Sequence, residues 1–196
     1  MLRMDLKNEI TNLVEEIENN YGCLKGEKNS EKIKSFLLDN EKDVHWRFSL
    51  VHNLGLLIIK AIDKCDRSKH KKKDLADEIK IYIDLMFIVI KEENLDDFIQ
   101  CDSAFELGQI GCHQYKESFE TYNDLIIKKL VNTFKEEKNE IVKGVIANAF
   151  WHLAREKNFP KKYKEVFREL RKKSEKTIKY YLLEALVSLG DKIIEE

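Results

Sequence analysis

The chain has little of the two residues that most often interrupt helices. Only one proline and seven glycines occur among its 196 residues. So few enforced breaks favour helices over a turn-rich β-sandwich. Hydrophobic residues make up 43% of the chain, which is enough to bury a sizeable core and excludes wholesale disorder. The length fits one domain of ordinary size or one short repeat array.

The sequence also lacks a cysteine pairing pattern and a long apolar run. Its four cysteines are scattered without a CxxC spacing, which is typical of reduced thiols. The longest apolar run, residues 81–90, contains Asp84 and falls well short of the roughly 18–20 residues that span a bilayer. Acidic residues such as Asp5 and Glu9 interrupt any secretory signal. We therefore expect a cytoplasmic protein with no membrane partner.

No linear motif of a known catalytic or nucleotide-binding site occurs in the chain. The patterns GxGxxG, GxxxxGK[ST], HExxH and GxSxG are all missing. His45 and His52 share a helical stripe, but the usual i, i+4 spacing and a third acidic ligand in register are lacking. Cys112 and His113 are adjacent, but a catalytic dyad is assembled by tertiary geometry. We expect a non-catalytic protein with no metal and no cofactor.

A second polar stripe runs along the helix that precedes Gly111. It contains Asp102, Glu106, Gln109 and His113. Clustered carboxylates can separate their pKa values, so the stripe is a candidate acid–base site. The simpler interpretation, which we favour, is a polar groove that faces solvent.

The apolar spacing predicts nine helices and no strand. Residues 81–90, IYIDLMFIVI, suit a buried strand by propensity, but the helical spacing continues upstream through Leu75 and Ile79. The sequence thus predicts an all-α protein. Side chains that accept backbone N–H groups are predicted to begin five of the helices: Ser30, Asp43, Asn94, Asn139 and Ser174.

One pattern recurs on every second helix from the third onward. The segments 50–58, 103–111, 146–154 and 182–190 align without gaps at separations of 53, 43 and 36 residues. Each segment carries a large apolar residue and a second one three positions later. The first set is Leu54, Leu107, Phe150 and Leu186, and the second is Leu57, Ile110, Leu153 and Leu189. Repeats of this kind predict stacked supersecondary units.

The segments AFELGQIG and LLEALVSLG resemble the second helix of HEAT repeats. The resemblance implies an α-solenoid-like stack of about four helical hairpins in a single domain over 1–196. The N-terminal helix and loop would occupy 1–29, and the hairpins would follow in 30–196. Their expected ranges are 30–65, 74–111, 118–157 and 160–194. An irregular helical bundle is the alternative fold.

In HEAT-like stacks the second helices line a concave groove that binds extended partners. The resemblance therefore implies a scaffold or adaptor with a protein or peptide partner. The groove residues carry polar groups with net negative charge, which suits basic or hydrogen-bonding groups on the partner. They are His45, Ser49, His52, Asp102, Glu106, Gln109, Asn148, His152, Tyr181 and Glu184.

The alternative partner is a nucleic acid, because the charges are unevenly distributed. Residues 84–127 carry a net charge of −8 and residues 128–192 a net charge of +8. The basic face in 161–179 and the loop 67–73 suit phosphate contacts. The candidate contacts are Lys71, Lys72, Lys73, Arg168, Arg171, Lys172 and Lys173.

Overall fold

A computed structural model describes residues 26–67, 72–116 and 122–191, together with Thr11 and Asn12. These residues form helices and short connections, and no β-strand occurs among them. The prediction of an all-α protein is confirmed. The predicted helix over 5–20 lies almost wholly outside the described residues. The helices are α1 (Gly26–Leu38), α2 (Val44–Arg67), α3 (Lys72–Lys91), α4 (Asp97–Lys116), α5 (Asn123–Glu136), α6 (Glu140–Ala154), α7 (Tyr163–Lys172) and α8 (Lys176–Ser188).

Two of the five predicted caps begin helices as expected. The Asp43 carboxylate accepts the backbone N–H of His45 at 2.8 Å, at the start of α2. The Asn139 side chain accepts the backbone N–H of Ile141 at 2.9 Å, at the start of α6. Each side chain satisfies one of the N–H groups that a first helical turn leaves without an intrahelical partner.

The other three predicted caps are wrong. At the start of α4 the Asp96 carboxylate, not the Asn94 side chain, accepts the backbone N–H of Phe98, at 2.8 Å. Ser30 is buried inside α1, which begins four residues earlier at Gly26. Ser174 precedes α8 but donates its hydroxyl to the backbone carbonyl of Leu170 at 2.7 Å. It therefore satisfies an acceptor at the end of α7. A serine hydroxyl both donates and accepts, so the same residue type serves either helix end.

The last helix is shorter than the predicted hairpin, which extended to residue 194. It ends at Ser188 because Gly190 adopts a positive φ of 76°, a conformation that glycine adopts without steric cost. The Gly190 N–H donates to the carbonyl of Val187 at 2.8 Å, and the Asp191 N–H donates to that of Leu186 at 3.0 Å. These two bonds form a Schellman motif, which satisfies the final carbonyls of α8.

The chain divides into two compact units, Met1–Glu106 and Leu107–Glu196, with the boundary inside α4. In the first unit α3 packs against both α1 and α2. In the second unit α6 packs along α8, α7 packs against α8, and α5 contacts α6. The single helical-repeat domain expected over 1–196 stays a prediction.

The apolar positions of the repeat form the core of each unit. All eight are at most 6% exposed. In the second unit an aromatic cluster around Phe150 joins α5, α6 and α7. The Phe150 ring of α6 lies 6.1 Å from that of Phe134 in α5 and 4.9 Å from that of Phe167 in α7. Ring pairs at these separations add to the free energy gained by burying their area.

Two glycines of α4 allow α6 to approach closely. A Cβ added at Gly108 would lie 2.8 Å from the Cβ of Ala149. A Cβ added at Gly111 would lie 2.7 Å from a methyl carbon of Leu153. The Ala149 Cβ cannot move away without its backbone, so the contact between these helices requires glycine at position 108. At position 111 the neighbouring atom is the end of a flexible leucine side chain, which can rotate away.

We predict that Gly108→Ala destabilises the protein by about 1–3 kcal/mol, because the packed helices must move apart. Gly144 in α6 offers a matched control, since an added Cβ there meets nothing within 4 Å. We expect Gly144→Ala to stabilise the protein by about 0.5–1 kcal/mol, because alanine lowers the conformational entropy of the unfolded chain. Denaturant unfolding of both variants measures the two effects. Equal effects at the two positions would contradict the close contact.

Candidate partner-binding surface

The first unit brings together five of the predicted groove residues on two helices. His45, Ser49 and His52 lie along α2, and Asp102 and Glu106 lie along α4. His52 Nδ1 and Glu106 Oε1 are 2.7 Å apart and share a hydrogen bond. About half of the His52 side chain is exposed, whereas that of Glu106 is buried. The hydrogen bond to the buried Glu106 fixes the orientation of the His52 ring.

The structure buries the two carboxylates that we expected to face solvent. Asp102 is 9% exposed and Glu106 is 3% exposed. The cause is Gly55 of α2, whose missing Cβ leaves room for the Glu106 carboxylate; an added Cβ would overlap it. The prediction of a solvent-facing stripe is therefore wrong for this pair. Gly55 is the sequence signal that indicates such a close approach.

Burial raises the pKa of the Asp102 carboxyl to about 7. The negative charge of Glu106 raises it further, and His52 opposes the shift. One Asp102 oxygen, Oδ2, is buried and has no hydrogen-bond partner. A buried carboxyl oxygen without a hydrogen-bond donor disfavours the charged form, because burial removes the solvation of the charge.

We predict that Asp102→Asn stabilises the protein above pH 7 and has no such effect near pH 4. The unfolded chain loses the Asp102 proton near pH 4, whereas the folded protein keeps it to about pH 7. Between these values the wild type therefore loses stability as pH rises, at no more than about 1.4 kcal/mol per pH unit. Urea unfolding at pH 4.5, 6 and 8 measures the slope, and the low-pH arm is the internal control. A constant difference between the two proteins across this range would contradict the assignment.

The second unit holds the other five predicted groove residues, all half-buried. Gln109 lies on α4, Asn148 and His152 on α6, and Tyr181 and Glu184 on α8. The ring of Tyr181 lies 6.2 Å from that of Trp151, which in turn lies 5.0 Å from the ring of its neighbour His152. These aromatic and polar groups form one surface along α6 and α8.

A cleft of about 370 Å³ lies between α6 and α8. Two predicted groove residues, Asn148 and Tyr181, line it. The sequence did not indicate the remaining lining residues, because their spacing does not distinguish them from core positions. The Asn148 Oδ1 atom is buried and has no hydrogen-bond partner. The other lining residues are Glu140, Ile141, Gly144, Val145, Glu175, Thr177 and Ile178.

Large apolar side chains are exposed mainly on the second helices of the predicted hairpins. Of the seven among the described residues, only Ile88 of α3 lies on a first helix. The ring of Phe98, 53% exposed, stacks on that of Phe48 at 5.0 Å. The six on second helices are Leu56, Phe98, Phe105, Ile141, Tyr180 and Val187.

The predicted nucleic-acid contacts are partly engaged in ion pairs within the chain. Arg168 donates two hydrogen bonds to the Asp191 carboxylate, at 2.6 and 2.9 Å, and also pairs with Glu165. Lys172 pairs with Glu169 at 2.9 Å. Arg171 is half-buried and Lys173 is exposed. The side chains of Lys71, Lys72 and Lys73 lie outside the described part of the chain.

The Cys112 thiol has the opposite of the environment that a nucleophile needs. Burial raises its pKa to about 12, and the charge of Glu156 raises it further. The thiol therefore stays protonated at neutral pH. Across the described side chains, no group of three or more acidic, histidine or cysteine residues is placed to hold a metal ion. None of the helices described here has the length and apolar character needed to cross a membrane.

Comparison of the chain with protein-family models, with curated proteins and with solved structures finds no match.

Proposed function

We propose that this chain is a non-catalytic, HEAT-like scaffold or adaptor that binds a protein partner through the second helices of its hairpins. The supporting observation is the distribution of exposed apolar side chains. Six of the seven large ones in the described residues lie on α2, α4, α6 and α8. Single exposed apolar residues are ordinary, but their concentration on one class of helix is typical of an interaction surface.

The charge at the start of α4 supports a partner with basic groups. Residues 92–115 contain six carboxylates and no lysine or arginine. Asp102 and Glu106 are buried, and the four that solvent reaches lie before α4 or at its first residue: Glu92, Glu93, Asp96 and Asp97. The exposed Phe98 and Phe105 lie in this stretch. An acidic surface with aromatic side chains suits a basic protein segment, because complementary charge steers association and aromatic rings supply contact area. The same charge opposes binding of a nucleic acid.

The packing within each unit supports the HEAT-like part of the proposal. In the first unit the first helices α1 and α3 contact each other. In the second unit the second helices α6 and α8 do the same. Contacts between equivalent helices of successive hairpins are what a repeat stack requires, because one hairpin cannot bury its apolar face alone.

The proposal predicts that a charge on a second helix weakens partner binding and that the same charge on a first helix does not. Leu56 of α2 and Ile88 of α3 form a matched pair, because each is 42% exposed. We expect Leu56→Lys and Ile141→Lys to lower the affinity by about tenfold or more, the effect of losing an apolar anchor. The partner is first captured from the source cells by the immobilised wild type, and titration calorimetry then measures each variant.

Ile88→Lys is the control, and we expect it to change the affinity by less than about twofold. Equal losses for Leu56→Lys and Ile88→Lys would contradict the proposed surface. A second result would favour the nucleic-acid alternative over the protein-binding function. The affinity for duplex DNA would fall steeply with salt, and Arg171→Glu would abolish the binding.

A further inference from the structure

We infer that the cleft between α6 and α8 binds a short extended segment of the partner protein, which places an aliphatic side chain over Gly144 and donates a hydrogen bond to Asn148. The inference rests on the proposed function and specifies the chemistry of one part of its surface. Three features of the cleft carry it: a glycine that packing does not require, a buried oxygen without a donor, and the charge of its rim.

Gly144 differs from the other glycines inside the helices. An added Cβ at Gly55, Gly108 or Gly111 would lie closer than 3 Å to an atom of a neighbouring helix, so each of these glycines has a packing neighbour. An added Cβ at Gly144 meets nothing within 4 Å. Glycine weakens a helix interior, and at this position no intramolecular contact compensates. A ligand that approaches the backbone closely explains the residue.

Asn148 lies one helical turn after Gly144 and on the same side of α6. Its Oδ1 atom is buried without a hydrogen-bond donor. A buried acceptor without a partner is unfavourable, and a ligand N–H directed at it removes the cost. The two unfavourable features of α6 therefore lie at one cleft, where a single ligand relieves both.

The rim of the cleft specifies the charge of the ligand. Glu140 and Glu175, at the starts of α6 and α8, line the cleft, and no lysine or arginine does. Glu140 Oε1 forms an ion pair with Lys143 Nζ at 2.7 Å. Glu175 is exposed and forms no ion pair among the described residues. A basic side chain at this end complements the rim.

The length of the cleft specifies the length of the segment. The lining residues of α6 run from Glu140 to Asn148, which is about 12 Å along the helix axis. An extended chain advances about 3.3 Å per residue, so about four residues fill this length. The apolar lining from Ile141, Val145 and Ile178 suits a branched aliphatic side chain near the middle of the segment.

A displayed library of random twelve-residue peptides, selected on the immobilised full-length chain, tests the inference. We expect enriched peptides to carry leucine, isoleucine or valine next to lysine or arginine. Fluorescence anisotropy then measures the affinity of one enriched peptide for three proteins: the wild type, Gly144→Phe and Gly144→Ala. Gly144→Phe fills the cleft and should lower the affinity by about tenfold or more. Gly144→Ala adds one methyl group where the ligand approaches the backbone and should lower the affinity several-fold.

Thr177→Trp fills the cleft from α8 and replaces Gly144→Phe if that variant does not fold by circular dichroism. Asn148→Leu removes the acceptor and should lower the affinity several-fold. Equal binding to wild type and the filled variants would overturn the inference. So would the enrichment of acidic peptides, or the failure of any peptide to be enriched.

The two proposals fail separately. Partner capture that is lost in Leu56→Lys but kept in Gly144→Phe would retain the protein-binding function and overturn the cleft. Peptide binding that depends on Gly144, without any effect of Leu56→Lys on partner capture, would retain the cleft and overturn the wider surface.

Discussion

Burial of one apolar stripe on each second helix is the interaction on which the rest of the structure depends. Leu54, Leu107, Phe150 and Leu186 occupy equivalent positions of the repeat, and each is at most 2% exposed. The helices can bury these residues fully only if their neighbours approach closely, which the glycines of α4 permit. Close packing of this kind resists changes of even one methyl group.

The same packing determines which side chains remain exposed. Once the apolar stripe faces the core, the opposite stripe of each second helix is left to solvent, and it carries most of the exposed apolar groups. The exposed groups also differ between the two units. The first unit presents Phe98 and Phe105 beside the buried pair Asp102 and Glu106. The second presents an open cleft whose Gly144 has no intramolecular packing role.

The helical class and the buried stripe could be predicted because both follow from residue spacing along one helix. Helix ends were less predictable, since Ser174 serves the end of α7 although its type suits the start of α8. The burial of Asp102 and Glu106 was not predicted from residue spacing, because it depends on how closely α2 approaches; Gly55 is the one residue that indicates this approach. For the same reason the sequence does not distinguish Gly144, which faces a cleft, from Gly108, which faces a neighbour.

Hydrogen exchange of the partner complex, read by mass spectrometry, tests the central claim most directly. The account predicts that binding slows exchange in peptides from α2, α4, α6 and α8, whose outer stripes contact the partner. Peptides from α1, α3, α5 and α7 should exchange at the same rate in the free and bound protein. Protection confined to those first helices, or spread evenly over both classes, would contradict the account.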